Sequence, residues 1–374
     1  MFEYFWVPSL AFLLCVLAIL MLRPLAQVTG LVDRPSARKR HDGEVPLVGG
    51  IAVLISVTVT GMLFVYLPDT FVPLLAGLTL LVAIGVMDDL IDVPPMTKLV
   101  LQIFAAILMT SWGGNYLTTL GDLFGRREIL LANWGIPITL FAAVAVINAM
   151  NMCDGMDGLA GGLSLVIFGW FAYLSRLIGD VPTQRICIIF CGAIAAFLLF
   201  NIRNPLRGRK RVFLGDAGSL MLGYAIVWFS VDLTQPSQGR PQHVPPVLML
   251  WVLGFVLIDL LAVVIRRMAK GKNPFSADRT HLHHILLRLD LKPEAIVWII
   301  LASNFVMGLI GVAGWKAGLS EQVLFLLFLA IALVHLMATR NAWRFIRFGR
   351  RLLARRPKPS NPSPGSGPGG TSES

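Results

Sequence analysis

Residues 71–98 read FVPLLAGLTLLVAIGVMDDLIDVPPMTK. Positions 71–87 carry no charge; Asp88, Asp89 and Asp92 then follow in quick succession, with Lys98 after them. An apolar run of this kind is what a bilayer-crossing helix requires, roughly 20 residues. Carboxylates in or beside hydrocarbon are costly and are retained mostly for function. The same junction recurs along the chain. Asp154 and Asp157 follow the apolar stretch 135–150, Asp216 sits at the start of another at 213–231, and His281, His283 and His284 lie in the polar segment between 245–265 and 294–315.

Composition extends this reading to the whole chain. The 374 residues are 56% hydrophobic and 14% charged, with mean hydropathy +0.73. Soluble domains carry about 25% charged residues, so there is too little polar sequence here to coat a soluble globule. The chain reads as an all-α polytopic membrane protein. A net charge of +11 raises nucleic acid as a partner. The basic residues, however, sit in short loops and a tail beside apolar spans, the pattern of membrane topology and anionic-lipid contact. Membrane lipids are therefore expected as partners and nucleic acid is not. Cys15, Cys187 and Cys191 fall in apolar spans and Cys153 within the acidic motif. No second ligand pair accompanies Cys187 and Cys191, which argues against zinc, and no disulfide framework is legible. Residues 4–22 lack a basic leader and a cleavage signal, and read as a retained first span.

Eleven transmembrane helices are expected, near 4–22, 46–66, 71–87, 97–112, 135–150, 159–178, 184–201, 213–231, 245–265, 294–315 and 320–339. Of 32 Lys and Arg residues, 26 cluster at the ends of the odd-numbered spans and in the tail, and six on the other side. Positive charge marks the cytoplasmic side. The N-terminus is thus expected outside, the C-terminus in the cytoplasm, and every acidic motif and the histidine cluster on the cytoplasmic face. Loop 113–134 alternates weakly around turn residues and reads as a short periplasmic hairpin. A single transmembrane domain covers 1–350. The tail 351–374 is basic, then rich in Pro, Gly and Ser, and is expected to be disordered.

The polar motifs carry the chemistry. In Asp88-Asp89, neighbouring carboxylates on a helix cannot face one way, so one can serve as a base or metal ligand while the other holds Lys98; like charges close together favour a base. Asn148, Asn151, Asp154 and Asp157 recur every three residues. On a helix they form one polar stripe; alternatively Gly155 and Gly158 break the helix and let backbone approach a ligand. Their oxygens suit a hard cation such as Mg²⁺, and the spacing excludes an EF-hand. Asp216 stands among small residues at a helix start, where backbone N–H groups favour phosphate or where the carboxylate is a plain cap. His281, His283 and His284, with Arg279 and Lys272 nearby, could be a metal site, but those cations favour an anionic ligand such as a pyrophosphate. In the first loop, the charges at 38–40 are explained largely by topology; that account does not require His41 or the pair Gly49-Gly50. Carboxylates and amides for Mg²⁺, with cations for phosphate at one membrane face, point to phosphoryl-group transfer involving a lipid.

Five stretches carry a resemblance: RKRHDGEVPLVGGIAV (38–53), DDLID (88–92), NAMNMCDGMDGLAGG (148–162), VFLGDAGS (212–219) and NPFSADRTHLHH (273–284). Over roughly 20–350 the chain resembles the polyprenyl-phosphate N-acetylhexosamine-1-phosphate transferases, and within them the bacterial WecA type. The resemblance implies transfer of N-acetylglucosamine 1-phosphate from UDP-N-acetylglucosamine to undecaprenyl phosphate with release of UMP, priming O-antigen, enterobacterial common antigen or a related glycan. It implies a bacterial inner-membrane enzyme facing the cytoplasm, dependent on Mg²⁺ with Mn²⁺ as a substitute, and compatible with a homodimer. By motif position it implies catalytic roles for Asp88, Asp89, Asp154 and Asp157 and metal ligation by Asn151 and Asp216. It places Arg40, His41, Lys98, Asn148, Arg279, His281, His283 and His284 on the substrates. Direct attack by the lipid phosphate is favoured over an aspartyl-phosphate intermediate, since it needs only positioning and charge neutralisation. The MraY-type sibling, which transfers phospho-MurNAc-pentapeptide, has consecutive histidines where Leu282 intervenes here. An ion-coupled transporter is the alternative from another class, but such sites lie near the midplane, often in paired repeats, and no repeat is visible.

Overall fold

The computed structural model describes residues 3–34, 43–64, 71–202, 211–236, 243–269, 271, 282–289 and 291–340. The described residues are overwhelmingly helical, as the apolar spans require, because a helix satisfies its own backbone polar groups in lipid. Among them, nine helical segments are long and apolar enough to cross a membrane. In chain order the bundle begins with α1 (Glu3–Thr29) and a short antiparallel pair, β1 (Val32–Asp33) and β2 (Val45–Pro46). Next come α2 (Gly49–Phe64), α3 (Phe71–Ile91), α4 (Pro95–Ile107), α5 (Gly135–Cys153), α6 (Leu159–Leu177), α7 (Val181–Asn201) and α8 (Gly215–Thr234). It closes with α9 (Val247–Val252), α10 (Gly254–Met268), α11 (Leu282–Leu287), α12 (Pro293–Lys316) and α13 (Glu321–Arg340). The tail 351–374 lies outside the described residues.

Two expected spans take a different form. The second is α2, only 16 residues long. The ninth is not continuous: α9 ends at Val252 and α10 begins at Gly254, with Leu253 between them at φ −86°, ψ 7°. A break in a helix strands backbone groups that lipid cannot satisfy. Asn304 on α12, fully buried, supplies both partners: its Oδ1 accepts from Phe255 N at 3.0 Å and its Nδ2 donates to Val252 O at 3.1 Å.

The core is centred on α8, 89% of whose apolar window is buried, against 22% for the peripheral α13. Phe168 of α6 stacks on Phe190 of α7 at 4.4 Å, and Phe229 of α8 meets both edge-on. Leu326, Leu333 and Val334 of α13 are exposed, which suits a lipid-facing surface. Loop 113–134 does form a small hairpin: Thr119 bridges Leu130, and Leu120 N donates to Ile129 O at 3.0 Å. Gln235, at the end of α8, anchors it by accepting from Thr118 N at 2.8 Å.

What positions the functional end is close backbone approach at the start of α8. A Cβ at Gly85 of α3 would collide with the backbone of Asp216 and Ala217, and one at Gly50 of α2 with that of Ala217 and Gly218. Small residues are what allow helices to approach this closely in lipid. The run before α8 is also stitched to α2: Gly49 N donates to Phe213 O and Gly50 N to Leu214 O, each at 3.0 Å. The Gly49-Gly50 pair thus has a packing reason that topology did not supply. Gly85→Val should lower stability by about 1–3 kcal/mol through overpacking. Gly169→Ala, in α6 with nothing within 4 Å of the added carbon, should be neutral or gain up to about 1 kcal/mol from helix propensity. Thermal unfolding of both variants in detergent checks the contrast.

Candidate active site

α3 stops where Pro94-Pro95 forbids its continuation. Asp92 turns into the left-handed region at φ 58°, and Pro95 opens α4 at a position where its missing N–H costs nothing. The turn brings Lys98 back over the end of α3. Asp88 uses both oxygens: Oδ1 accepts from Val93 N at 2.8 Å, and Oδ2 pairs with Lys98 Nζ at 2.6 Å. Lys98 Nζ is also 3.8 Å from Asp216 Oδ2, so the lysine stands between two carboxylates. Asp89, turned the other way, accepts from the backbone N–H of Asp216 through Oδ1 at 3.2 Å. Asp88 is therefore the Lys98 partner, and Asp89 the carboxylate turned toward the start of α8. Asp216 falls in the first turn of α8 without capping it. Its Oδ1 accepts from Asn151 Nδ2 at 3.0 Å, and the same amide nitrogen reaches Ser219 Oγ at 2.9 Å.

The Asn148–Asp157 stripe is helical only as far as Cys153, and Asp154 closes α5, its N–H donating to Asn151 O at 3.2 Å. Asp154 and Asp157 thus lie in a turn, the glycine-broken alternative. Gly158 takes φ 80° at the head of α6, a conformation natural to glycine. Its N–H is held by Asn201 Oδ1 at 2.6 Å, while Asn201 Nδ2 donates to Val212 O at 3.1 Å. Asp157 forms an ion pair with Arg211, whose guanidinium also lies over the Phe213 ring at 5.4 Å. Asn148 exchanges amide hydrogen bonds with Gln102, the shorter at 2.7 Å.

The structure thus gathers Asp88, Asp89, Lys98, Asn151 and Asp216 into one network at the end shared by α3, α5 and the start of α8, with Asn148 a turn away. Asp154 and Asp157 flank it on the connection between α5 and α6. Positions 283 and 284 fall on α11; the side chains of His283 and His284 lie outside the described ones, as do residues Arg40, His41, Arg279 and His281. Four partners were not singled out from sequence: Gln102, Asn201, Arg211 and Ser219. Gln102 carried a signal, standing one helical turn after Lys98 in an otherwise apolar span. Arg211 was hidden among topological cations.

The donor set fits a hard divalent cation. Asp216 offers carboxylate oxygens; Asn151 stands beside it with its amide nitrogen toward Oδ1, and a half-turn of that amide would bring its oxygen to the same place. Among the described residues no three His, Cys, Asp or Glu groups are gathered as a preformed cage. Mg²⁺ characteristically takes one or two carboxylates and completes its shell with water and substrate phosphate.

The sequence profile described as glycosyl transferase family 4 matches residues 71–234, the segment that holds this network. Across nearly its full length the chain is similar to curated proteins named undecaprenyl-phosphate alpha-N-acetylglucosaminyl 1-phosphate transferase. The Escherichia coli (strain K12) protein is 36% identical over 346 residues, 92% of this chain and 93% of the relative. The chain belongs to glycosyl transferase family 4. Its similarity to the Yersinia pestis protein is 36% over 353 residues, 94% of each chain, and to the Haemophilus influenzae protein 36% over 349 residues, 92% and 96%. The polar network lies inside the matched segment, since Asp88 through Asp216 all fall within it.

The Asp157–Arg211 pair is open to a direct check. Asp157→Ala and Arg211→Ala should each lower turnover, and the double variant should be no worse than the poorer single one. That result corresponds to a coupling of about 0.5–3 kcal/mol between contacting residues. Additive losses in steady-state assays would show two independent roles.

Proposed function

We infer that the protein is a phosphoglycosyltransferase that moves N-acetylglucosamine 1-phosphate from UDP-N-acetylglucosamine to undecaprenyl phosphate, giving undecaprenyl-diphospho-N-acetylglucosamine and UMP. The observation that carries this is the meeting of Asp88, Asp89, Lys98, Asn151 and Asp216 at one end of the bundle, in a chain 36% identical to enzymes of that name. The membrane setting supplies the acceptor, a lipid phosphate whose head group lies at the depth of these helix ends.

In the reaction we propose, an oxygen of the lipid phosphate attacks the phosphorus that bears the sugar. The bond from that phosphorus to the bridging oxygen breaks, and UMP leaves with the electron pair. Asp216 and Asn151 would hold Mg²⁺, which supplies neutralisation of phosphate charge during displacement. Asp88 holds Lys98, and Lys98 offers its ammonium to a phosphate oxygen. Asp89, next to the start of α8, accepts the proton of the attacking phosphate when that phosphate arrives protonated. The Asp154–Asp157 turn, steadied by Arg211 and Asn201, lines the nucleotide side with Asn148. Arg40, His41, Arg279, His281, His283 and His284 belong to the substrate-binding loops. No covalent aspartyl intermediate is needed, because positioning and charge neutralisation suffice for phosphoryl transfer.

We further propose eleven crossings, counting α2 as one and α9 with α10 as another, with the N-terminus outside and the site facing the cytoplasm. The 26 basic residues on one side support that orientation. The product primes O-antigen, enterobacterial common antigen or a related glycan.

Purified enzyme in detergent, given undecaprenyl phosphate and UDP-N-acetylglucosamine, should release UMP only with Mg²⁺ or Mn²⁺ present. Asp216→Asn should reduce turnover by about a hundredfold or more, the scale of losing a preorganised charge-stabilising group. Release with UDP-MurNAc-pentapeptide instead would assign the sibling activity. Ion-dependent uptake into vesicles without UMP would favour a transporter.

A further inference from the structure

Asp259 lies inside α10, with its side chain 3% exposed, in a segment read from sequence as a plain apolar span. Its Oδ1 accepts the backbone N–H of Leu282 at 3.0 Å. Nε2 of His335, on α13, lies 3.8 Å from the same oxygen. Leu282 is the first residue of α11, and positions 283 and 284 follow it directly. α10 also packs against α5. α5 ends at Cys153, and Asp154 follows it directly. One buried acid, on a helix that packs against α5, thus holds the first residue of the helix that carries positions 283 and 284.

A carboxylate at this depth is expensive, and an aliphatic residue would fill the same space in α10. What the acid adds is a charge-assisted hydrogen bond, stronger than a neutral one, to a backbone N–H that α11 cannot satisfy itself. We propose that Asp259 is a positioning residue for donor binding. It ties the start of α11 to α10 at the catalytic end of the bundle and so sets where the histidine segment stands relative to the Asp154 turn. This rests on the reading above that the histidine segment serves the sugar nucleotide.

The test is steady-state kinetics of the full-length enzyme with UDP-N-acetylglucosamine and undecaprenyl phosphate, alongside amide exchange across residues 282–287. Asp259→Ala should raise the KM for the nucleotide sugar about tenfold, the scale of one lost hydrogen bond to a charged group, with the lipid KM unchanged within about twofold. Asp259→Asn keeps an acceptor oxygen in place and should recover the donor KM to within about threefold. A purely architectural role would reduce the amount of active enzyme and leave both KM values alone, because KM does not depend on enzyme concentration. Should Asp259→Ala not fold, Asp259→Ser, whose oxygen falls short of Leu282, is read the same way. Unchanged amide exchange in α11 overturns the tether. Raised exchange with an unchanged donor KM overturns the positioning role. In that case, a His283→Ala/His284→Ala variant that also keeps the donor KM shows that the donor-side reading of the histidine segment has failed.

Discussion

The structure of the functional end depends on one ammonium group held between two carboxylates, Lys98 between Asp88 and Asp216. Three aspartates converge where α3 ends and α8 begins, and their mutual repulsion beside hydrocarbon would drive these helix ends apart. The lysine offsets that charge and links α3, α4 and α8. Removing one partner of a mostly buried pair typically costs about 3–5 kcal/mol, because the other charge is left uncompensated. Asp89 adds a different kind of bond, filling one of the donors that every helix start leaves open. The charges proposed for catalysis are therefore also the ones that hold these helix ends together.

The second constraint is the rule that lipid leaves no backbone group unsatisfied. At three places a buried amide side chain satisfies backbone groups that the helices leave open. Asn304 closes the break between α9 and α10, Asn201 holds Gly158 where α6 begins, and Gln235 secures the hairpin. Each is nearly inaccessible. These residues touch no proposed substrate, yet they let the chain turn or break without stranding its backbone groups.

Much of this was legible in the chain. The apolar runs announced helices, and the acids at their ends announced a polar cluster at one end of the bundle. The motif that pairs Asn151 with Asp216 was visible as two separate signals. The choice between a continuous polar stripe and a broken helix at Asp154 was not, because three-residue spacing and paired glycines are compatible with both. Nor was the division of labour between Asp88 and Asp89, since adjacent residues on a helix differ only in which neighbour each one faces. Asp259 was overlooked for a related reason: a lone acid among apolar residues has no periodic pattern to mark it, and its partner is a backbone N–H.

The sequence by itself determined that this is a polytopic helical membrane protein and that its acids and amides stand at the ends of apolar helices. These follow from composition and from the energetic exclusion of charge from hydrocarbon, both local properties of the chain. Only the tertiary structure decided which acid meets Lys98, that Arg211 pairs with Asp157, and that α9 and α10 are two helices. Those outcomes depend on contacts between residues far apart in the chain, where small residues let backbones come close enough for one helix to complete another.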